Sequence, residues 1–182
     1  MVAFDRPVFG FTEQPLLNVW KGPNPYTNEF AADRTVGLMD ELGIEKAILL
    51  GHSAGGAIAL LSYYRHSERF QHLFCRILRF MGGSPWFMVL LRDLPQRLGP
   101  LFVRSIAGES GINTIYLAWY NDSKITPNII EGDRRPLMAE NWDYALWQFT
   151  LASHDLLLEE NLSKVSACFG HNRNRGQNSP AF

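Results

Sequence analysis

The sequence predicts an α/β fold: a few parallel strands with flanking helices, followed by a mostly helical segment. Three observations predict it. Ala47–Leu50 is an unbroken apolar run that leads through a glycine- and serine-rich turn into a small-residue helix. A helix-period segment closed by a glycine stands immediately before it. From residue 84 to 163 the apolar spacing is that of helices joined by short loops.

In chain order, Val2–Phe4 reads as the end of a short apolar strand. Asp5–Thr27 carries Pro7, Gly10, Pro15, Gly22, Pro23 and Pro25 and is loop. Thr27 or Asn28 caps a helix running from Glu29 to Leu42. Ala32, Val36, Met39 and Leu42 share one face of it, and Gly43 ends it. Ile44–Leu50 is a strand whose continuous apolar character fits burial on both faces. Ala54–Tyr64 is a buried helix, with Gly55, Gly56, Ala57 and Ala59 allowing close packing. Leu73–Cys75 is a short strand cut off by Arg76 and Arg79. Ser84-Pro85 and Thr126-Pro127 are caps with proline at the first helical position. Asn141–Ser153 is a helix that aligns Trp142, Leu146 and Phe149. These elements give three regions: 1–83 as a strand-and-helix core, 84–163 as a helical region, and 164–182 as a tail expected to be disordered.

With 46% hydrophobic residues the chain can build a core. Its 17 basic and 18 acidic residues give a net charge of −1, which removes the electrostatic argument for a nucleic-acid partner. Cys75 and Cys168 have no partners at metal-ligand spacing, so two free thiols and no metal are expected. Met1–Phe4 runs at once into Asp5, Arg6 and Pro7, so no signal peptide is read there and an intracellular location is the default. Ala47–Tyr64 is uncharged and as long as a short membrane span, but the glycines at its centre favour a strand running into a helix.

Gly51-His52-Ser53-Ala54-Gly55 fits G-x-S-x-G, in the context that gives the motif its chemistry: strand before, helix after. A sharp strand-to-helix turn strains the serine backbone and projects its hydroxyl from the end of the sheet. Gly51 and Gly55 leave room for that turn. The N–H of Ala54, at the helix start, is placed to bind an oxyanion with help from the helix dipole. Ser53 is thus the candidate nucleophile and Ala54 the candidate oxyanion-hole donor.

Val2–Phe70 resembles the α/β-hydrolase fold family. Asp5-Arg6-Pro7-Val8-Phe9-Gly10-Phe11-Thr12 is similar to the family's D-x-x-G-x-G-x-[ST] loop, and Gly51–Gly56 to its nucleophile elbow. Residues 84–163 resemble the family's inserted lid, and 137–149 look most like lids of the meta-cleavage carbon–carbon hydrolases and related esterases. A serine at the elbow sets the chain apart from the epoxide hydrolases and haloalkane dehalogenases. The resemblance implies hydrolysis of an ester or C–C bond in a small apolar substrate without a cofactor. Val8 departs from it by standing where the family has glycine.

The family's first three strands find no counterpart, and no acid follows Glu160, so neither the catalytic acid nor the histidine is recognisable. The chain therefore reads as truncated at both ends. The alternative function is a catalytically inactive fragment or splice form, or a binding-only relative, in which Ser53 is exposed but not activated. His52 reads as a packing or polar residue, and His66 and His72 as solvated. His154 caps a helix end, and His171 is the one histidine after the lid. Trp119, Tyr120, Trp142, Tyr144, Trp147 and Phe149 read as core packing before pocket lining. Oligomeric state is not readable.

Overall fold

The computed structural model describes residues 1–76, 97–107, 111, 116, 119–152 and 168–169. Its elements are α1 (Asn28–Glu41), β1 (Ala47–His52), α2 (Ala54–Arg65), β2 (Phe70–Arg76), α3 (Gly99–Ala107), α4 (Pro127–Arg134), α5 (Trp142–Ala152) and β3 (Cys168–Phe169). The Ser84-Pro85 cap lies outside the described residues.

Contacts divide the chain into two compact units: Met1–Ala31 with Gly83–Asp155, and Ala32–Gly82 with Leu156–Phe182. The second unit holds a parallel sheet in the order β1-β2-β3. The first holds the N-terminal loop and the helices α3 to α5.

Helix α1 starts and stops as its sequence dictates. Thr27 is the cap: its hydroxyl accepts from Phe30 N–H at 3.2 Å. At the other end Gly43 takes φ 66°. Gly43 N–H donates to Asp40 O at 3.0 Å and Ile44 N–H to Met39 O at 2.8 Å, the paired bonds of a Schellman ending. Ala32, Val36 and Met39 are buried, as the spacing predicts. Leu42 is not: it lies beyond the last helical turn and is exposed. The Schellman ending also explains why β1 begins at Ala47 rather than Ile44, since Ile44 is committed to closing the helix. Arg69 fixes the connection, donating to the carbonyls of Ile44 and Glu45 and to the Asp40 carboxylate.

One face of β1 and β2 carries the core. Leu49, Leu73 and Cys75 pack against Ala59 and Leu60 of α2. Phe70 joins Val36, Met39 and Ile44 under α1. The other face is open. Ile48 pairs with His72 and Leu50 with Phe74, and Ile48, Leu50 and Phe74 are 54%, 82% and 40% exposed. Among the described residues the apolar run of β1 is therefore covered on one face only. A continuous run records what a strand can bury, and no described element lies over this second face.

Three further expectations change. Val2–Phe4 forms no strand; Val2 and Phe4 are exposed, and no described strand pairs with them. Strand β2 is seven residues long, because parallel pairing with β1 carries it through to Arg76. Cys168–Phe169, placed at the start of a disordered tail by composition, pairs in parallel with Leu73–Phe74.

In the first unit Val8, Tyr26 and Ala145 form a buried cluster, with Leu17, Tyr144, Leu146 and Phe149 packed around it. Residues 1–31 share this unit with α5. Two bonds tie the loop down: Tyr26 O–H donates to Pro15 O at 2.5 Å, and Leu17 N–H to Tyr144 Oη at 3.2 Å. Val8 takes φ 90°, a conformation a β-branched residue rarely adopts. Burial of its side chain offsets the strain. Thr126 caps α4 as expected, accepting from Ile129 N–H. In α5 the most buried residues are Trp147 and Ala145 rather than the predicted stripe. Trp147 packs against Gly99 of α3, Ala145 against Val8 and Tyr26, so the helix is covered on two sides. Trp119 and Tyr120 are exposed and leave the predicted core.

His66 is not simply solvated. Its Nε2 lies 2.8 Å from Asp33 Oδ1, while Arg65 donates to both oxygens of the same carboxylate at 2.8 Å. The Arg65 hydrogen bonds hold the Asp33 carboxyl below its usual range, with His66 adding to the effect. A depressed folded-state pKa gives stability that is complete above the unfolded value of about 4 and fades as pH falls through the folded one. Asp33→Asn is therefore expected to flatten the loss of stability between about pH 4 and pH 2, by a small amount because the cluster is partly exposed. Urea midpoints across that range check it, and identical slopes for both proteins would refute it.

Candidate functional site

The site grows from the junction of β1 and α2. Parallel pairing with β2 carries β1 to His52, and α2 begins at Ala54. One residue, Ser53, makes the turn. It does so with φ 54° and ψ −124°, a region L residues seldom occupy and one that costs roughly 1–3 kcal/mol. Its carbonyl accepts from Gly56 N–H at 3.0 Å and Ala57 N–H at 3.3 Å, opening the helix. Its side chain makes no capping bond. The strain and the free hydroxyl belong together: a serine that simply capped α2 would turn its oxygen onto the helix amides.

The two motif glycines differ. A Cβ on Gly51 would lie 2.5 Å from Gly55 O and 2.7 Å from Gly56 Cα, so main chain closes directly over it. A Cβ on Gly55 would meet nothing within 4 Å among the described residues. Both Gly55 and Gly56 supply the main chain that closes over Gly51, and Gly56 is buried. Gly51→Ala is expected to destabilise by about 3 kcal/mol, since backbone cannot move aside. Gly55→Ala is expected to stay within about 1 kcal/mol of the parent and to gain helix propensity. Chemical denaturation of the two variants checks the contrast, and equal effects would contradict it.

Ala54 is exposed, and its N–H has no partner among the described residues. It stands on the first turn of α2, where the helix dipole favours negative charge. Ser53 Oγ and this amide therefore stand together at one helix start.

The described histidines are placed elsewhere. His52 is exposed on the open face of β1. His66 closes the far end of α2, about 18 Å along a helix of 12 residues, and is paired with Asp33. His72 sits opposite Ile48, five residues of strand before Ser53, or roughly 16 Å. His154 and His171 lie outside the described residues. Among the described residues Ser53, Ala54 and Gly51 stand together, and the histidine beside them is His52, whose side chain is on the exposed face of β1 with Ile48 and Leu50.

Comparison with known proteins agrees with this geometry. The alpha/beta hydrolase fold matches residues 1–102. A 2-hydroxymuconate semialdehyde hydrolase of Pseudomonas sp. (strain CF600) is 38% identical over 73 residues, 40% of this chain and 24% of that protein. The uncharacterized hydrolase YugF of Bacillus subtilis (strain 168) is 25% identical over 169 residues, 91% of this chain and 59% of its own length. The chain thus spans from a quarter to three-fifths of the relatives it matches. Among solved structures, a hydrolase from Pseudomonas aeruginosa PA01 superposes with TM-score 0.56 at 19% identity, covering 82% of this chain and 54% of that one. The epoxide hydrolase CorEH gives 0.58 at 16%, covering 88% and 58%. At these identities the two structures establish the fold. No described helix is long and apolar enough to cross a membrane.

Proposed function

The chain belongs to the alpha/beta hydrolase fold family, and from that premise we propose that it hydrolyses an ester or carbon–carbon bond in a small apolar substrate, with Ser53 as nucleophile. The strained φ and ψ of Ser53 between β1 and α2 carry this reading. A turn costing roughly 1–3 kcal/mol persists where a function holds it.

In the ester case Ser53 Oγ attacks the carbonyl carbon, and the Ala54 N–H binds the oxygen as it gains charge. The serine proton passes to a base and then to the departing alcohol as the ester bond breaks. Water then releases the acyl group from Ser53. The 2-hydroxymuconate semialdehyde hydrolases among the relatives favour a small substrate, and the elbow serine favours acyl chemistry over epoxide opening. His171 is the histidine that the sequence offers after the lid region 84–163, and is the candidate base.

The test is labelling of the full chain with an alkyl fluorophosphonate, followed by peptide mapping. One label on Ser53, absent from Ser53→Ala, is the expected result. Labelling that survives the substitution, or no labelling of the folded protein, would overturn the proposal. Removing residues 170–182 separates the base from the nucleophile: the label is expected to be slowed if His171 activates Ser53.

A further inference from the structure

Arg6 is half-buried, and its guanidinium carbon lies 4.5 Å from the ring centroid of Phe9 and 4.9 Å from that of Phe149. The two rings meet edge to face, 5.6 Å apart at 77°. They replace water against the cation, yet an aromatic ring offers no lone pair to its five N–H donors. Among the described residues no carboxylate pairs with Arg6 and no oxygen accepts from its side chain. The neighbouring acid is turned away, since Asp5 accepts from the Phe11 N–H. The pattern differs from the chain's other described pairs, where Arg65, Arg69 and Arg104 each meet a carboxylate at 2.8, 2.7 and 2.5 Å. Burial lowers Arg6 to about 10, which leaves it charged at neutral pH.

We infer that the Arg6 guanidinium, held between Phe9 and Phe149, is a binding site for the carboxylate of a small apolar acid. The guanidinium fork matches two carboxylate oxygens in its plane, and contact with both rings holds the cation in place. Phe9 remains 39% exposed, so it presents apolar surface beside the cation for the body of the acid. Inorganic phosphate offers similar oxygens and no apolar body, so it is expected to bind more weakly. The inference does not depend on Ser53.

The experiment is isothermal titration of the full chain with benzoate, benzamide and phosphate. Benzoate is expected to bind saturably, benzamide not to bind, and phosphate to bind less tightly than benzoate. Arg6→Gln is expected to weaken benzoate roughly 10–100-fold, the range of a charge-assisted bond. Arg6→Lys keeps the charge and loses the fork, and is expected to weaken it severalfold, which keeps the test decisive if Arg6→Gln fails to fold. Benzoate that does not bind, that binds either variant as tightly as the parent, or that is matched by benzamide or phosphate would overturn the assignment.

Discussion

Ser53→Ala is expected to lower hydrolysis of a short p-nitrophenyl ester by about 10⁴–10⁶-fold, the loss seen when a serine nucleophile is removed from a working triad. The fold should not suffer. Alanine keeps the strained backbone and removes only an oxygen that makes no capping bond. Ser53→Gly sharpens the point. Glycine accepts φ 54° without the steric cost, against an entropy penalty of about 0.5–1 kcal/mol, so it is expected to be equally inactive and up to about 2 kcal/mol more stable. Stability gained as activity is lost is the signature of strain kept for function. Ester hydrolysis that persists in both variants would place the chemistry elsewhere.

The largest effect on stability is expected at Trp147. It is 1% exposed, the bulkiest fully buried side chain described, and the residue on which α3 rests through Gly99. Trp147→Ala should cost about 3–5 kcal/mol, a large share of the roughly 5–15 kcal/mol available to a domain. Trp147→Phe should cost far less. It keeps most of the ring and deletes an indole N–H that has no hydrogen-bond partner among the described residues, so part of the lost packing is returned as a relieved polar group. Gly99→Ala belongs with the first variant, because its Cβ would run into the indole. Urea midpoints order the three, and a Trp147→Phe as damaging as Trp147→Ala would show that the N–H has a partner.

Local signals were the legible part of this chain. A cap at Thr27, a closing glycine at Gly43 and a helical stripe through Val36 and Met39 lie within one segment, so they can be read without knowing the fold. The elbow was legible for the same reason. Non-local facts were not. Nothing in Ile48 or Leu50 says whether a second layer covers them. The two residues of β3 owe their strand to a register with Leu73 and Phe74 rather than to their own composition. Val8 shows the mixed case. It stands where the family has glycine and takes φ 90°, while the packing that tolerates a valine there comes from Tyr26 and Ala145. The site divides the same way: Ser53, Ala54 and Gly51 are adjacent in sequence and readable, whereas a base is placed by tertiary structure alone.

The wiring of the first unit sets a schedule for its synthesis. The Leu17 N–H finds its acceptor on Tyr144, 127 residues later. At the usual ribosomal rate of about 5–20 residues per second, the N-terminal loop waits roughly 6–25 s for its partner to be made. During that interval Val8, Leu17 and Tyr26 lack Tyr144 and Ala145 of α5, against which they pack, while the strand-turn-helix of β1 and α2 emerges complete. A nascent chain therefore carries residues 8–26 without their α5 partners for that interval, in which a ribosome-associated chaperone has access to them.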